Sequence, residues 1–440
     1  MRKREMARLA LTFLAGKEGG GGHSTARRNV IGAIIGIALS LVPLIMVFEL
    51  SDGMIDGIMR RSIELGTYHL RAIPYDYPSD SALLAQADEI SKMEGVKSAL
   101  VERQGSGVAV LGETTAGVSV RALDARAFTE DPSFRELITV KKGALAFPKE
   151  NSVILGEALA ARLKARVGSR LTLMTMDSGD SRSLSPRVHL FTVSGIVSSG
   201  YQELDALWFL VPLATGTKVL GEKSSYAFIG VKTEGLSASH GLDSHDPVIG
   251  KLSDRLSENY QVQAWYDFLR SQLSTLKTTK LLLIFITVLI VVVACLNVSA
   301  ATYMLVFERQ QDIFILRSLG LSPTQVSLIF GFCGLAMGLI ALVAGLSLGL
   351  LLAANVNGTI SFLEGVANAV NALVSAVGNL DFKSVKILNP AYYLEKIPIR
   401  LNFLELLLAG VGTVLVSGLA AFIPARGSEP KRPMDIVRKI

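Results

Sequence analysis

The chain has 440 residues, half of them hydrophobic and 19% charged, with a mean hydropathy of +0.43 and a formal net charge of +6. So apolar a composition argues against a water-soluble protein of this length, and the surplus positive charge sits beside apolar runs, which leaves no reason to expect a nucleic-acid partner. The two cysteines, Cys295 and Cys333, both lie inside apolar runs, so the polar part of the chain folds without a disulfide.

Residues 1–28 form a basic leader with Arg2, Lys3, Arg4, Arg8, Lys17, Arg27 and Arg28 against Glu5 and Glu18. Residues 29–50 then make the first of four runs with the roughly 20 apolar residues needed to cross about 30 Å of hydrocarbon. This run is longer than a signal-peptide core, and Phe48, Glu49, Leu50 and Asp52 after it offer no cleavage pattern, so it reads as a retained span. The others are 281–307, 326–354 and 403–424, and the chain closes on residues 425–440 with Arg426, Lys431, Arg432, Arg438 and Lys439. Basic residues flanking a span stay on the cytoplasmic side. Both termini and the 308–325 connection, with Arg309 and Arg317, are therefore expected in the cytoplasm, and 51–280 and 355–402 outside. Residues 51–278 carry 25 Lys or Arg against 27 Asp or Glu, a balance of −2, so the chain's positive charge belongs to its cytoplasmic flanks. The expected fold is an α-helical membrane domain of four transmembrane helices with a large mixed α/β domain inserted between helices 1 and 2.

After the first span, Met54, Ile55, Ile58, Met59 and Leu65 alternate with Asp52, Asp56, Arg60, Arg61 and Glu64 at helical spacing, which predicts that the span continues outward as a stalk. Strand-like runs follow at 68–73, 107–111, 118–122, 153–155, 170–174, 190–196 and 207–211, with a helix at 157–163. The polar stretch 177–187, with Ser178, Gly179, Asp180, Ser181 and Pro186, reads as a hairpin loop between two of these strands. A further external helix is expected near 358–377.

Between the second and third spans, Ile313, Ile315, Leu316 and Leu319 lie on a short amphipathic helix. Gly320 permits its stop, and Ser322 to Gln325 offers a cap for the next helix with Pro323 in its first turn. Such a helix at the cytoplasmic face is suited to touch a cytoplasmic partner. Gly345-Leu346-Ser347-Leu348-Gly349 matches a nucleophile-elbow pattern but lies within an apolar span; with Gly334 and Gly338 it reads as small-residue spacing for close helix packing. His23, His69, His189, His240 and His245 show no metal-ligand spacing. No G-x-x-x-x-G-K-[ST] loop is present, since Gly16-Lys17-Glu18 followed by Gly19 to Gly22 has neither its order nor its hydroxyl.

Glu308-Arg309, Asp312-Ile313, Ile315-Leu316-Arg317, Leu319-Gly320-Leu321 and Gln325 resemble the coupling segment of the LolC/LolE type of lipoprotein-releasing ABC permease, within the wider MacB/FtsX-like group. Asn389-Pro390, Tyr392-Tyr393 and Ile397-Pro398 resemble that type's segment before the last span. Phe422 to Arg426 with Arg432-Pro433-Met434 resembles its C-terminal ending, and Val153 to Glu157 with Leu159, Leu163, Val167-Gly168 and Leu171 an element of its external domain.

The resemblance implies a non-enzymatic subunit in a bacterial inner membrane. It would pair with an identical or related permease and with a LolD-like ATPase dimer, which binds the ATP and magnesium that this chain does not. Triacylated lipoproteins would pass from the membrane lipid to a periplasmic LolA-like carrier. Coupling would fall to Glu308, Arg309, Asp312, Leu316, Arg317, Leu319 and Gly320. Met46, Phe48, Met54, Ile55 and Ile58, with Phe268, Leu273 and Leu276, are candidates for an apolar cleft that takes acyl chains, methionine suiting varied chains. Asp177, Ser181, Pro186 and Arg187 mark a candidate carrier-binding loop, because the corresponding hairpin of one member of the pair holds the carrier. The alternatives are a MacB-like efflux permease and an FtsX-like relay of mechanical signals to an external hydrolase.

Overall fold

A computed structural model describes residues 3–15, 23–76, 78–180, 183–221, 226–233, 247–378 and 403–427. In chain order, helix α1 (Lys3–Ala15) precedes the long helix α2 (His23–Ser62), which ends in a π-helical turn (Ile63–Thr67). Strand β1 (Leu70–Pro74), helix α3 (Asp80–Ser91), strands β2 (Val96–Leu111) and β3 (Thr114–Leu123) and helix α4 (Pro132–Leu137) follow. Next come β4 (Thr139–Gly143), β5 (Ser152–Gly156), α5 (Glu157–Leu163), β6 (Arg170–Asp180), β7 (Ser183–Ser198) and α6 (Gln202–Asp205). Strands β8 (Trp208–Pro212), β9 (Tyr226–Thr233) and β10 (Tyr260–Ala264) are interleaved with helices α7 (Leu213–Leu220) and α8 (Pro247–Leu256). The chain then becomes helical throughout its described part, with α9 (Trp265–Glu308), α10 (Gln310–Ser318), α11 (Pro323–Ala354), α12 (Val356–Gly378) and α13 (Phe403–Gly427). Four helical stretches, Arg28–Thr67, Trp265–Glu308, Pro323–Ala354 and Phe403–Ile423, are long and apolar enough to cross a membrane.

These elements form two compact units. One comprises residues 1–53, 277–359 and the last helix. Its interior is built where small residues let helices approach. A Cβ on Gly345 would lie 2.8 Å from the Ala38 carbonyl oxygen and 3.0 Å from Leu41 Cβ, and one on Gly349 would lie 2.7 Å from Ile45 Cδ1. Gly334 and Gly338 face Ala421 and Ser417 of α13 in the same way. Dispersion gained by such close approach holds helices together in a solvent as apolar as their side chains. At one end of the unit, Met6 and Ala10 of α1 are buried with Leu305, Val326, Ile329, Phe330 and Cys333.

The other unit holds the α/β elements of residues 54–276. Strands β2, β3, β8, β5, β7 and β6 pair in a closed ring, because β6 bonds both β7 and β2. Closure removes free edges from these strands. Alternate residues fill the ring, among them Val118, Val120, Val153, Leu155, Leu171, Leu173, Phe191, Val193, Phe209 and Val211, with Leu159 and Leu163 of α5 packed against them. Strands β9, β1 and β10 extend the sheet beyond β2, and their own core uses Leu83 and Ile90 of α3, Ile249 and Leu252 of α8, and Met59 and Ile63.

Where helix α2 meets this sheet, the end of the helix is held by buried side chains. Arg121 donates from Nη1 to the Leu65 carbonyl at 2.5 Å and forms two bonds to Glu102, at 2.5 and 2.7 Å. Arg71 donates to the carbonyls of Thr67 and Gly66 at 3.0 and 2.8 Å, and its guanidinium lies over the rings of Phe228 and Phe268. Lys232, 1% exposed, bridges Glu64 and Asp131, while Glu64 also faces His69. The last carbonyls of a helix lack partners within it, and cations there are favoured by the helix dipole. Tyr68, the first residue beyond the π-turn, has φ 59° and donates its hydroxyl proton to Glu102 at 2.9 Å. Its ring lies so close to Gly230 that a Cβ there would stand 2.6 Å away, so only glycine fits.

Burial pushes the Glu102 carboxyl up, but the Arg121 charge and its hydrogen bonds outweigh that and hold it below the usual carboxylate range. Burial, then the Glu102 charge, pushes the Tyr68 phenol well above its ordinary value. A carboxyl depressed by folding adds stability above its unfolded value of about 4.3, and that stability is lost as pH falls through the folded value. Removing one partner of such a buried pair costs about 3–5 kcal/mol. Glu102→Gln should therefore lower the thermal midpoint of the full chain at neutral pH and flatten its loss of stability in acid; a melting curve series against pH reads both effects.

The polar stretch 177–187, expected as a loop, is largely strand. β6 runs to Asp180 and β7 starts at Ser183, with Asp177 opposite Ser185 and Met176 opposite Pro186. Backbone hydrogen bonds along the ladder carry this arm whatever its side chains, which is why composition alone misread it.

Candidate functional site

The segment between the second and third apolar helices is built by local signals. Helix α9 ends at Glu308, which is exposed, and Arg309 breaks it, its Nη1 bonded to Asp312 at 3.0 Å. The nine residues of α10 follow, and Gly320 at φ +94° turns the chain. Ser322 then caps α11: its hydroxyl accepts from the Gln325 N–H at 3.3 Å, the Gln325 side chain accepts from the Ser322 N–H at 3.0 Å, and Pro323 occupies the first turn. Ile313 packs against the buried cluster around Phe330, while Leu316 and Arg317 are half-buried. Phe314, Ile315 and Leu319 are exposed, Leu319 by 74%. A short helix fixed on one face by Ile313 and offering three large apolar side chains on the other is a ready contact surface. Of these three, sequence reasoning had singled out Leu319 as a site residue; Phe314 was missed because it breaks the apolar period.

The eight residues expected to line an apolar cleft divide between the two units. Phe48 packs against the core of the helical unit, and Met46 is half-buried there. In the α/β unit Ile55, Leu273 and Leu276 pack on the cluster around Met59 and Trp265. Ile58 is buried at 3% against Tyr201, so its role in this fold is packing, whereas Met54 is half-buried and Phe268 is 40% exposed, its ring beneath Arg71.

The hairpin of β6 and β7 carries a surface that sequence reasoning missed. Val108, Met174 and Val188 align in one row across β2, β6 and β7. Met176 lies opposite Pro186 and Leu190 opposite Thr172 in the flanking rows. Met176, Val188 and Leu190 are 60%, 58% and 68% exposed. The signal lay in the alternation of Leu171 and Leu173, which point into the ring, with Thr172, Met174 and Met176, which cannot. Arg187 on the same arm donates to the Lys218 carbonyl at 2.8 Å. Ser181 and the stretches 389–398 and 432–434, which carried part of the sequence resemblance, lie outside the described residues.

Known proteins share these parts. The family model of the MacB-like periplasmic core domain matches residues 30–238, and that of the FtsX-like permease C-terminal matches 284–428. A lipoprotein-releasing system transmembrane protein LolC of Neisseria meningitidis is 25% identical over 407 residues, 92% of this chain and 93% of the relative. This chain is of the LolC/LolE type, within the MacB/FtsX permease superfamily. LolC of Xylella fastidiosa is 27% identical over 292 residues, 66% of this chain, and the match spans 65% of that relative's length. LolE of Haemophilus influenzae is 25% identical over 300 residues, 68% of this chain and 67% of the relative. Among solved structures, the periplasmic region of MacB from Actinobacillus actinomycetemcomitans covers 47% of this chain and 94% of its own at 14% identity, with a TM-score of 0.29. For this permease, the first family model takes in most of α2 and strands β1 to β9, the second runs from within α9 through α13, and α10 lies wholly within the second.

A side chain at residue 320 would be forced into a left-handed conformation costing roughly 1–2 kcal/mol. Gly320→Val should thus loosen the turn before α11, seen as faster amide hydrogen exchange over residues 319–325, with the exchange of the ring strands unchanged.

Proposed function

We propose that this chain is the permease subunit of an ABC transporter that draws lipoproteins out of the outer leaflet of a bacterial inner membrane and passes them to a periplasmic carrier. The observation that carries the reading is the match to LolC over nearly the whole of both chains, supported by an α10 surface of the kind that an ATPase groove would take. In this reading both termini and α10 face the cytoplasm, and the α/β domain, between the first and second spans, faces the periplasm. ATP and magnesium belong to a separate cytoplasmic ATPase dimer, and a second identical or related permease completes the membrane part.

Energy enters at α10. Leu319 and Leu316, joined by Phe314 and Ile315, fill the groove of the ATPase, while Glu308, Arg309, Asp312 and Arg317 set its charge contacts and Gly320 its turn. Each buried CH₂ of a lipid anchor holds it in the membrane by about 0.8 kcal/mol, so removing several acyl chains requires a driven step. Motion of the spans passes along α2 into the buried end that Arg121 and Arg71 clasp, and so into the sheet. Met46, Phe48, Met54, Ile55, Phe268, Leu273 and Leu276 are the candidates for contact with acyl chains. The exposed patch of Met174, Met176, Val188 and Leu190, on the arm whose sequence also holds Asp177, Ser181, Pro186 and Arg187, is where the carrier docks.

Depleting the protein in its native cell should leave mature lipoproteins in the inner-membrane fraction; normal sorting to the outer membrane would move the reading to efflux or to signal relay. Leu319→Asp should reduce ATP turnover of the assembled complex at least tenfold without altering the thermal midpoint of the permease, because the residue is solvent-exposed here.

A further inference from the structure

Three carboxylates and one ammonium meet at one end of the helical unit. Glu49 and Asp52 lie three residues apart on one face of α2, Lys280 comes from α9 and Glu405 from α13. Lys280 Nζ reaches Asp52 Oδ1 at 2.6 Å and Glu405 Oε1 and Oε2 at 3.1 and 3.2 Å. It thus joins three helices, and its ammonium stands 6.0 Å from the Phe48 ring. Glu49 is the exception. It is 3% exposed, and neither of its carboxylate oxygens has a hydrogen-bond partner. The last turn of α11, from Leu350 to Asn355, brings no charged side chain.

A carboxylate so enclosed has no donor to answer its charge, whereas a carboxylic acid carries none. With Lys280 already shared by Asp52 and Glu405, ionising Glu49 would bring the cluster from −1 to −2 in surroundings of low dielectric. Among the described residues no three His, Cys, Asp or Glu side chains are grouped to hold a metal ion. The ligand whose chemistry fits is a proton.

We infer that Glu49 is a proton-binding site that latches the ends of α2, α9 and α13 together. With the proton on a Glu49 oxygen, Lys280 is free to bridge Asp52 and Glu405. When the O–H bond breaks and the proton passes to water, the carboxylate competes for Lys280 and repels its two acidic neighbours, and the helix ends separate. The latched state binds the extra proton, so acid favours it and alkali releases it. This inference concerns the helix ends alone and stands apart from the nature of the cargo.

The test uses the full chain in lipid nanodiscs, without ATPase or lipoprotein. Infrared difference spectra between acidic and alkaline buffer report the C=O stretch of a protonated carboxyl group, and spin labels on Ser51→Cys and Phe403→Cys, with Cys295→Ala and Cys333→Ala, report the distance between α2 and α13. The expected result is loss of a carboxylic-acid band on going to alkali, together with a longer label distance. Glu49→Gln lacks the band and stays short at every pH, and Lys280→Met is long at every pH. Should Glu49→Gln not fold, Asp52→Asn serves, because removing a negative neighbour must move the midpoint of the band loss toward acid. A band that persists in Glu49→Gln, a distance that changes with pH in that variant as in the parent, or a midpoint that Asp52→Asn leaves in place would overturn the inference.

Discussion

The buried ion pair of Arg121 and Glu102 decides how the α/β unit receives helix α2. A helix that ends inside a protein must find partners for its last carbonyls, and here they come from side chains on the sheet. Arg121 takes the Leu65 carbonyl and Arg71 those of Gly66 and Thr67. Both guanidiniums are largely buried, so each needs its charge answered; Glu102 does this for Arg121, and the faces of Phe228 and Phe268 for Arg71. Around this pair the left-handed backbone of Tyr68, the bare Cα of Gly230 and the Lys232 bridge between Glu64 and Asp131 become intelligible as parts of one packed joint.

The membrane unit solves a different problem. Hydrocarbon offers no hydrophobic drive toward association, so its helices are joined by close approach of small residues and by a few polar contacts. Gly345 and Gly349 let α11 pack on Leu41 and Ile45, and the Ser299 hydroxyl donates to the Ala420 carbonyl at 2.5 Å. Against this economical packing the cluster of Glu49, Asp52, Lys280 and Glu405 is conspicuous, since charge so placed is costly and its arrangement across three helices is sensitive to a single proton. The exposed apolar faces of α10 and of the β6–β7 arm are unlike either interior: they are surfaces with nothing of this chain to cover them among the described residues.

Much of the architecture could be read directly. Four apolar runs announced four long helices, the amphipathic residues after Leu50 announced the extension of α2, and Ser322, Pro323 and Gln325 announced the start of α11. Short-range chemistry suffices for these, because length, periodicity and caps act within a turn or two. The same approach found only the last third of β2 and missed β4, β9 and β10. Strand β4 is exposed along its length and held by its partner β7, so its five residues carry no alternating pattern to detect.

The sequence by itself determined that four stretches are long and apolar enough to cross a membrane and to which kind of permease the chain belongs, since hydropathy and motif spacing are local properties. Only the tertiary structure decided that β6 closes the strands into a ring, that Ile58 packs inward on Tyr201, that Arg121 pairs with Glu102, and that Glu49 is left beside two other carboxylates without a hydrogen bond. Those outcomes depend on which residues meet across gaps of many positions, as Asp52 meets Lys280 and Glu405, and no periodicity in one dimension encodes a contact made in three.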